Sequence, residues 1–161
     1  MIVIKNEIRK RRKKIEKFIQ FLNDNYDIPH MLSLFVHQEP LLKYGNGNCF
    51  GVITWNSNNP SGGKKIIHVT NNIEWFRRFE IEIPKNIADY AILHTIAHEI
   101  YHYFQLRDNK EIKENWVDNN AHKICSDYLS IDLKNEYLDL MDKIYMTKKE
   151  WRNYKFKTIE E

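Results

Sequence analysis

The sequence predicts an α+β domain: a small antiparallel sheet of about three strands packed on a long central helix, with further helices at both ends. Three observations lead there. Apolar residues near the N-terminus recur at three- and four-residue steps. Three short apolar runs follow, separated by Gly-, Asn- and Pro-rich segments. Then no Gly or Pro interrupts residues 85–137, which reads as successive helices.

In chain order, Ile4, Ile8, Ile15, Phe18, Ile19 and Leu22 mark one amphipathic helix over 4–25. It stops before Pro29, which disfavours helix at the residue preceding it. "MLSLFVH" at 31–37, "CFGVITW" at 49–55 and "KKIIHV" at 64–69 read as strands, the last two forming a hairpin across the loop "NSNNPSGG". Residues 71–84 fit helix or strand, with Pro84 as punctuation. From Asn86 the pattern is helical, and "RDNKE" at 107–111 marks a break. A second helix over about 111–130 carries Trp116, Ala121, Ile124 and Leu129, and a third lies near 134–145. Thr147 and Glu150 fit a capping box opening a short last helix. The expected organisation is a single domain over 1–161. Residues 1–27 are its basic N-terminal helix, 31–130 its core and 131–161 its C-terminal helices.

Composition narrows the function classes. With 161 residues and 42% apolar content there is material for a core, so disorder is not expected. The net charge of +3 does not point to nucleic acid, and no apolar run approaches the roughly 20 residues that span a bilayer. The charged N-terminus does not read as a signal peptide. Cys49 and Cys125, without a C-x-x-C, imply no disulfide framework, so a reducing cytoplasm is the expected location.

One basic run stands out. Arg9 to Lys14 are six consecutive cations. Contact with phosphate backbones is one reading, and nucleic acid is a partner to keep in view. A solvated helix face is preferred, given the mild total charge.

The stretch "LHTIAHEIYHYFQ" contains His98-Glu99-Ile100-Tyr101-His102, the pattern H-E-x-x-H. A shuffled chain with the same seven His and thirteen Glu would show about 0.02 matches, so helical context has to carry the reading. On a helix, His98 and His102 share one face a turn apart. Two imidazoles so placed suit Zn2+. Glu99 projects beside the metal, where a carboxylate can act as general base and then acid. His94 extends the row, but one straight helix does not easily aim three residues at one tetrahedral ion, so packing or support is its expected role. A catalytic zinc needs a third protein ligand. Glu111, Glu114, Asp118 and His122 are the candidates, the last three spaced by four on one helix face. Tyr101, Tyr103, Tyr128 and His122 remain open as groups to polarise a carbonyl, although core packing suits Tyr101 better.

"HEIYH" followed by "DNNAH" resembles the gluzincin-type zinc metallopeptidases, over about residues 50–130. In these, H-E-x-x-H is followed on the next helix by E-x-x-A-D or a close variant. The first acid is the third ligand, the Ala lets the helices approach and the last Asp orients a ligand histidine. The resemblance implies Zn2+ held by His98, His102 and Asp118, with Ala121 as the small residue. His122 stands where Asp is usual. The alternative arrangement has His122 on the metal and Asp118 supporting it, and Glu114 is the third choice. "KKIIHV" resembles the edge strand along which such enzymes lay an extended peptide. The expected function is zinc-dependent peptide hydrolysis with Glu99 as general base and a peptide or protein as substrate. The alternatives are a nucleic-acid-associated protein and a non-catalytic module held together by metal. Peptide deformylases share H-E-x-x-H, with an upstream Cys ligand. Cys49 lies upstream here, but the glycine-rich and Cys-containing motifs of that family are missing.

Overall fold

A computed structural model of the chain describes residues 1–29, 31–44, 47–55, 58, 63–78, 80–145 and 157–159. The fold is mixed α+β, with five helices among the described residues and a four-stranded mixed sheet. The strands are β1 (Ile2–Asn6), β2 (Leu32–Val36), β3 (Leu42–Tyr44), β4 (Gly47–Cys49), β5 (Gly51–Thr54), β6 (Lys65–Val69) and β7 (Lys157–Ile159). The helices are α1 (Arg12–Asn25), α2 (Asn72–Arg78), α3 (Lys85–Arg107), α4 (Glu114–Leu129) and α5 (Lys134–Tyr145).

The main sheet has the order β1-β2-β6-β5. β1, β2 and β6 run parallel, and β5 is antiparallel to β6. The expected three-stranded antiparallel sheet is thus corrected: within this sheet only the 51–54/65–69 hairpin is antiparallel, and the N-terminus adds a parallel strand. The single helix expected over 4–25 is likewise corrected. Residues 2–6 are a strand and the helix begins at Arg12. Ile2 and Ile4 alternate with the exposed Val3 and Lys5, which is strand period. Ile8 is buried from the connecting loop. Ile4 and Ile8 satisfy a four-residue step, and Ile2 and Ile4 a two-residue step, so the short apolar series fits both periods. Satisfying β1 also takes neighbours far along the chain, its register being Ile2 to Leu32 through Asn6 to Val36. A second small sheet, β4-β3-β7, was not expected. "KKIIHV" is not an edge: β6 lies between β2 and β5, and β5 is the strand at the end of the sheet.

Within residues 71–84, Asn72–Arg78 form α2, Glu80 turns with a left-handed φ of 54°, and Pro84 stands at the N-cap of α3, where a missing N–H costs nothing. α3 is buried along most of its length, with Ile92, Ile96, Ile100 and Tyr103 in the same core as Leu34, Ile67 and Val69. Its end explains the break at 107–111. Asn109 takes a left-handed φ of 52°, and the Lys110 N–H returns to the Gln105 carbonyl at 2.8 Å, which satisfies orphan carbonyls at the helix end. α4 then buries Val117, Ala121, Ile124 and Cys125. The Thr147–Glu150 capping box lies outside the described residues. No helix among the described residues is long and apolar enough to cross a membrane.

Candidate metal centre

α3 presents His98 and His102 one turn apart, and their Nε2 atoms face each other at 3.1 Å. The third group at that point is Glu114, in the first turn of α4. Its Oε2 lies 3.2 Å from His98 Nε2 and its Oε1 3.2 Å from His102 Nε2. These three residues form a group able to hold a metal ion. Asp118, one turn further along α4, is at the other side of the His98 ring: His98 Nδ1 donates to Asp118 Oδ1 at 2.8 Å. His102 Nδ1 donates to Gln105 Oε1 at 3.2 Å.

The donor set fits a dication. With both Nδ1 atoms donating, each neutral ring carries its lone pair on Nε2. Two lone pairs and a carboxylate therefore converge, all acceptors, and only a cation relieves that arrangement. Tetrahedral ligands about 2.0–2.1 Å from zinc stand about 3.3 Å apart. The triangle here has edges of 3.1–3.2 Å. Without metal, a proton takes the cation's place. Burial lowers the His98 pKa, but the Asp118 hydrogen bond and the charges of Glu99, Asp118 and Glu114 outweigh it and the net shift is upward. For His102, burial and the neighbouring His98 prevail and the shift is downward. The Asp118 carboxyl is held down, chiefly by its hydrogen bond to His98. The Glu114 side chain is 65% exposed, so the triangle opens to solvent on that side.

Glu99, the residue after His98, is buried and lies against β5. A Cβ placed on Gly51 would fall 2.8 Å from Glu99 Oε1 and 3.0 Å from Thr95 Cγ2, so glycine is what lets the strand lie against this carboxylate. Burial pushes the Glu99 pKa up to about 7, with His98 opposing and Glu114 adding. Cys49, just before β5, is raised to about 12 by burial and then by the Glu99 charge.

His94 and His122 sit elsewhere. His122 Nδ1 is 2.6 Å from the Tyr90 hydroxyl, and the His122 ring centroid is 4.2 Å from that of His94 and 5.5 Å from that of Tyr137. This is a buried aromatic cluster behind His98. Burial, then His122, drives the His94 pKa down to about 3. Tyr101 packs edge-on against Phe104 and Trp116, and Tyr128 against Phe18 and Phe21. Sequence reasoning ranked Glu114 third, after Asp118 and His122, and missed Gln105 and Gly51. Gln105 lies three residues after His102, a spacing that places side chains together on a helix. Nothing local marks Gly51. No family model, curated protein or solved structure matches the chain.

Proposed function

We propose that the chain is a zinc-dependent metallopeptidase whose metal is held by His98, His102 and Glu114. The observation that carries this reading is the acceptor-only triangle of two Nε2 atoms and one carboxylate beside a buried glutamate. The motif E-x-x-A-D then fits one turn earlier than the sequence suggested. Glu114 takes the ligand position, Val117 the small position and Asp118 the position that orients a histidine. Val for Ala is a departure, and Val117 is fully buried.

Zinc bound there would supply a Lewis acid for the scissile carbonyl. Glu99, with a pKa near neutrality and a fixed position under Gly51, would take a proton from the attacking water and return it to the leaving amine. Asp118 and Gln105 would fix the two ring tautomers. An extended substrate would add to the outer edge of β5, with no strand paired there among the described residues. That replaces β6, which is interior.

The exposure of Glu114 favours this reading over a closed, purely structural metal module, in which no position opens to solvent. The nucleic-acid alternative draws on the basic run, yet Arg11 and Lys14 engage Asp89 and Arg12 engages Glu16. The test is metal content and peptide hydrolysis of wild type beside Glu99→Gln. One zinc in both with hydrolysis only in wild type is the expected result. Equal activity, or none in either with zinc bound, would rule out the enzyme reading.

A further inference from the structure

The parallel order β1-β2-β6 gathers a second polar group at the carboxyl ends of these strands. Glu7 follows β1, His37 and Glu39 follow β2, and His68 is the penultimate residue of β6. None belongs to the H-E-x-x-H centre. A ring nitrogen of His37 and carboxylate oxygens of Glu7 and Glu39 all lie within 4.8 Å of one another. His37 is buried, and its Nε2 is 2.8 Å from His68 Nδ1. The rings are nearly parallel, 5.1 Å apart, and Phe35 stacks on His68 at 5.4 Å.

We propose that Glu7, His37 and Glu39 form a second metal site, for a first-row transition-metal dication, with His68 as the histidine that orients or joins it. Two carboxylates this close repel each other, and a dication between them turns repulsion into attraction. An imidazole among the donors selects zinc, manganese, iron, cobalt or nickel over magnesium and calcium, which take oxygen alone. The hydrogen bond between the rings supplies the outer contact that ligand histidines make: a donated Nε2–H puts the His37 lone pair on Nδ1. Backbone bonds hold the donors in place. The Glu7 N–H bonds Val36 O at 2.9 Å, the His37 N–H bonds Val69 O at 2.9 Å, and the Gln38 N–H reaches Glu7 Oε2 at 3.1 Å. The ion would tie the ends of β1 and β2 together, a structural role separate from hydrolysis.

The experiment is a titration of the chelator-stripped full chain with Co2+ and with Zn2+, counting ions per chain. The variants are Glu7→Gln, Glu7→Gln/Glu39→Gln and His98→Asn/His102→Asn. Two ions are expected in wild type and one in each double variant. Glu7 is exposed, so Glu7→Gln alone leaves the fold intact and should weaken the second ion at least ~10-fold. Wild-type stoichiometry and affinity in the Glu7 and Glu39 variants would overturn the proposal. So would a single wild-type ion lost in the histidine variant. One wild-type ion lost with the Glu7/Glu39 pair and kept without His98 and His102 would uphold this site and sink the peptidase reading instead.

Discussion

Residues four apart on α4 have different jobs. Glu114 faces the two Nε2 atoms and Asp118 faces the back of one ring. Glu114→Gln should therefore remove most zinc binding, whereas Asp118→Asn should weaken it about 10–100-fold and leave the stoichiometry intact. Competition with a chromogenic chelator measures both. Equal losses would mean that Asp118 binds the metal itself. Sequence spacing could not make this distinction. Glu114, Asp118 and His122 share one helix face, and which of them meets His98 depends on how far α4 is displaced along α3, a tertiary quantity. Glu99 offers a test of sign. Its pKa rises from 4.5 to about 7 in the metal-free fold. Below about pH 7 the folded state therefore favours the neutral carboxyl. The resulting stability is fully present below pH 4.5 and is lost as pH climbs through 7, a change on the order of 3 kcal/mol. In metal-free protein, Glu99→Gln should gain stability over wild type between pH 4.5 and 8, as read by urea denaturation at both ends. A constant difference across that range would show that Glu99 is solvated. A bound dication should hold the carboxyl lower and shrink the effect.

At the scale of elements, the contact between β5 and α3 depends on one missing methyl. Gly51→Ala puts a Cβ where Glu99 Oε1 and Thr95 Cγ2 already are. Either Glu99 turns or β5 lifts, with an expected cost of about 1–3 kcal/mol. Under the proposed function, hydrolysis should fall by at least tenfold while zinc binding is kept, since His98, His102 and Glu114 are untouched. Full activity in Gly51→Ala would mean that Glu99 does not need this seat. The helical half of the chain was the legible half. Residues 85–137 lack Gly and Pro, and their breaks fall where Asn109 and Ser130 adopt left-handed φ values of 52° and 55°. Strands were harder to read, because a five-residue strand such as β1 shows only two or three alternations, and its partner lies 30 residues away.

For the molecule as a whole, the N-terminal segment is part of the sheet rather than an appendage. Met1 and Ile2 are fastened to the rest by the amino group on Ile28 O and the Ile2 N–H on Asn23 Oδ1. Deleting residues 1–6 would strip β2 of its parallel neighbour and leave an unpaired, apolar edge. The shortened chain should aggregate or melt well below the full one in a thermal scan. An unchanged melting temperature would contradict the role given to β1. The basic run fits the same picture, because Asp89 of α3 anchors Arg11 and Lys14 beside the start of α1. Its cations help seat α1 on α3, a use that charge counting along the sequence does not reveal.

Cys49 gives the centre a reporter of its own. Its thiol is held at a pKa of about 12, partly by the charge on Glu99, so it should alkylate slowly at neutral pH. Replacing Glu99 by Gln removes the electrostatic share of that barrier, and Cys125 is buried deeply enough to stay silent. The rate at which iodoacetamide consumes one thiol thus becomes a voltmeter for the carboxylate beneath Gly51. It can be read in the resting protein, before any substrate is known, and a rate indifferent to Glu99→Gln would mean that the thiol and the carboxylate do not sense each other.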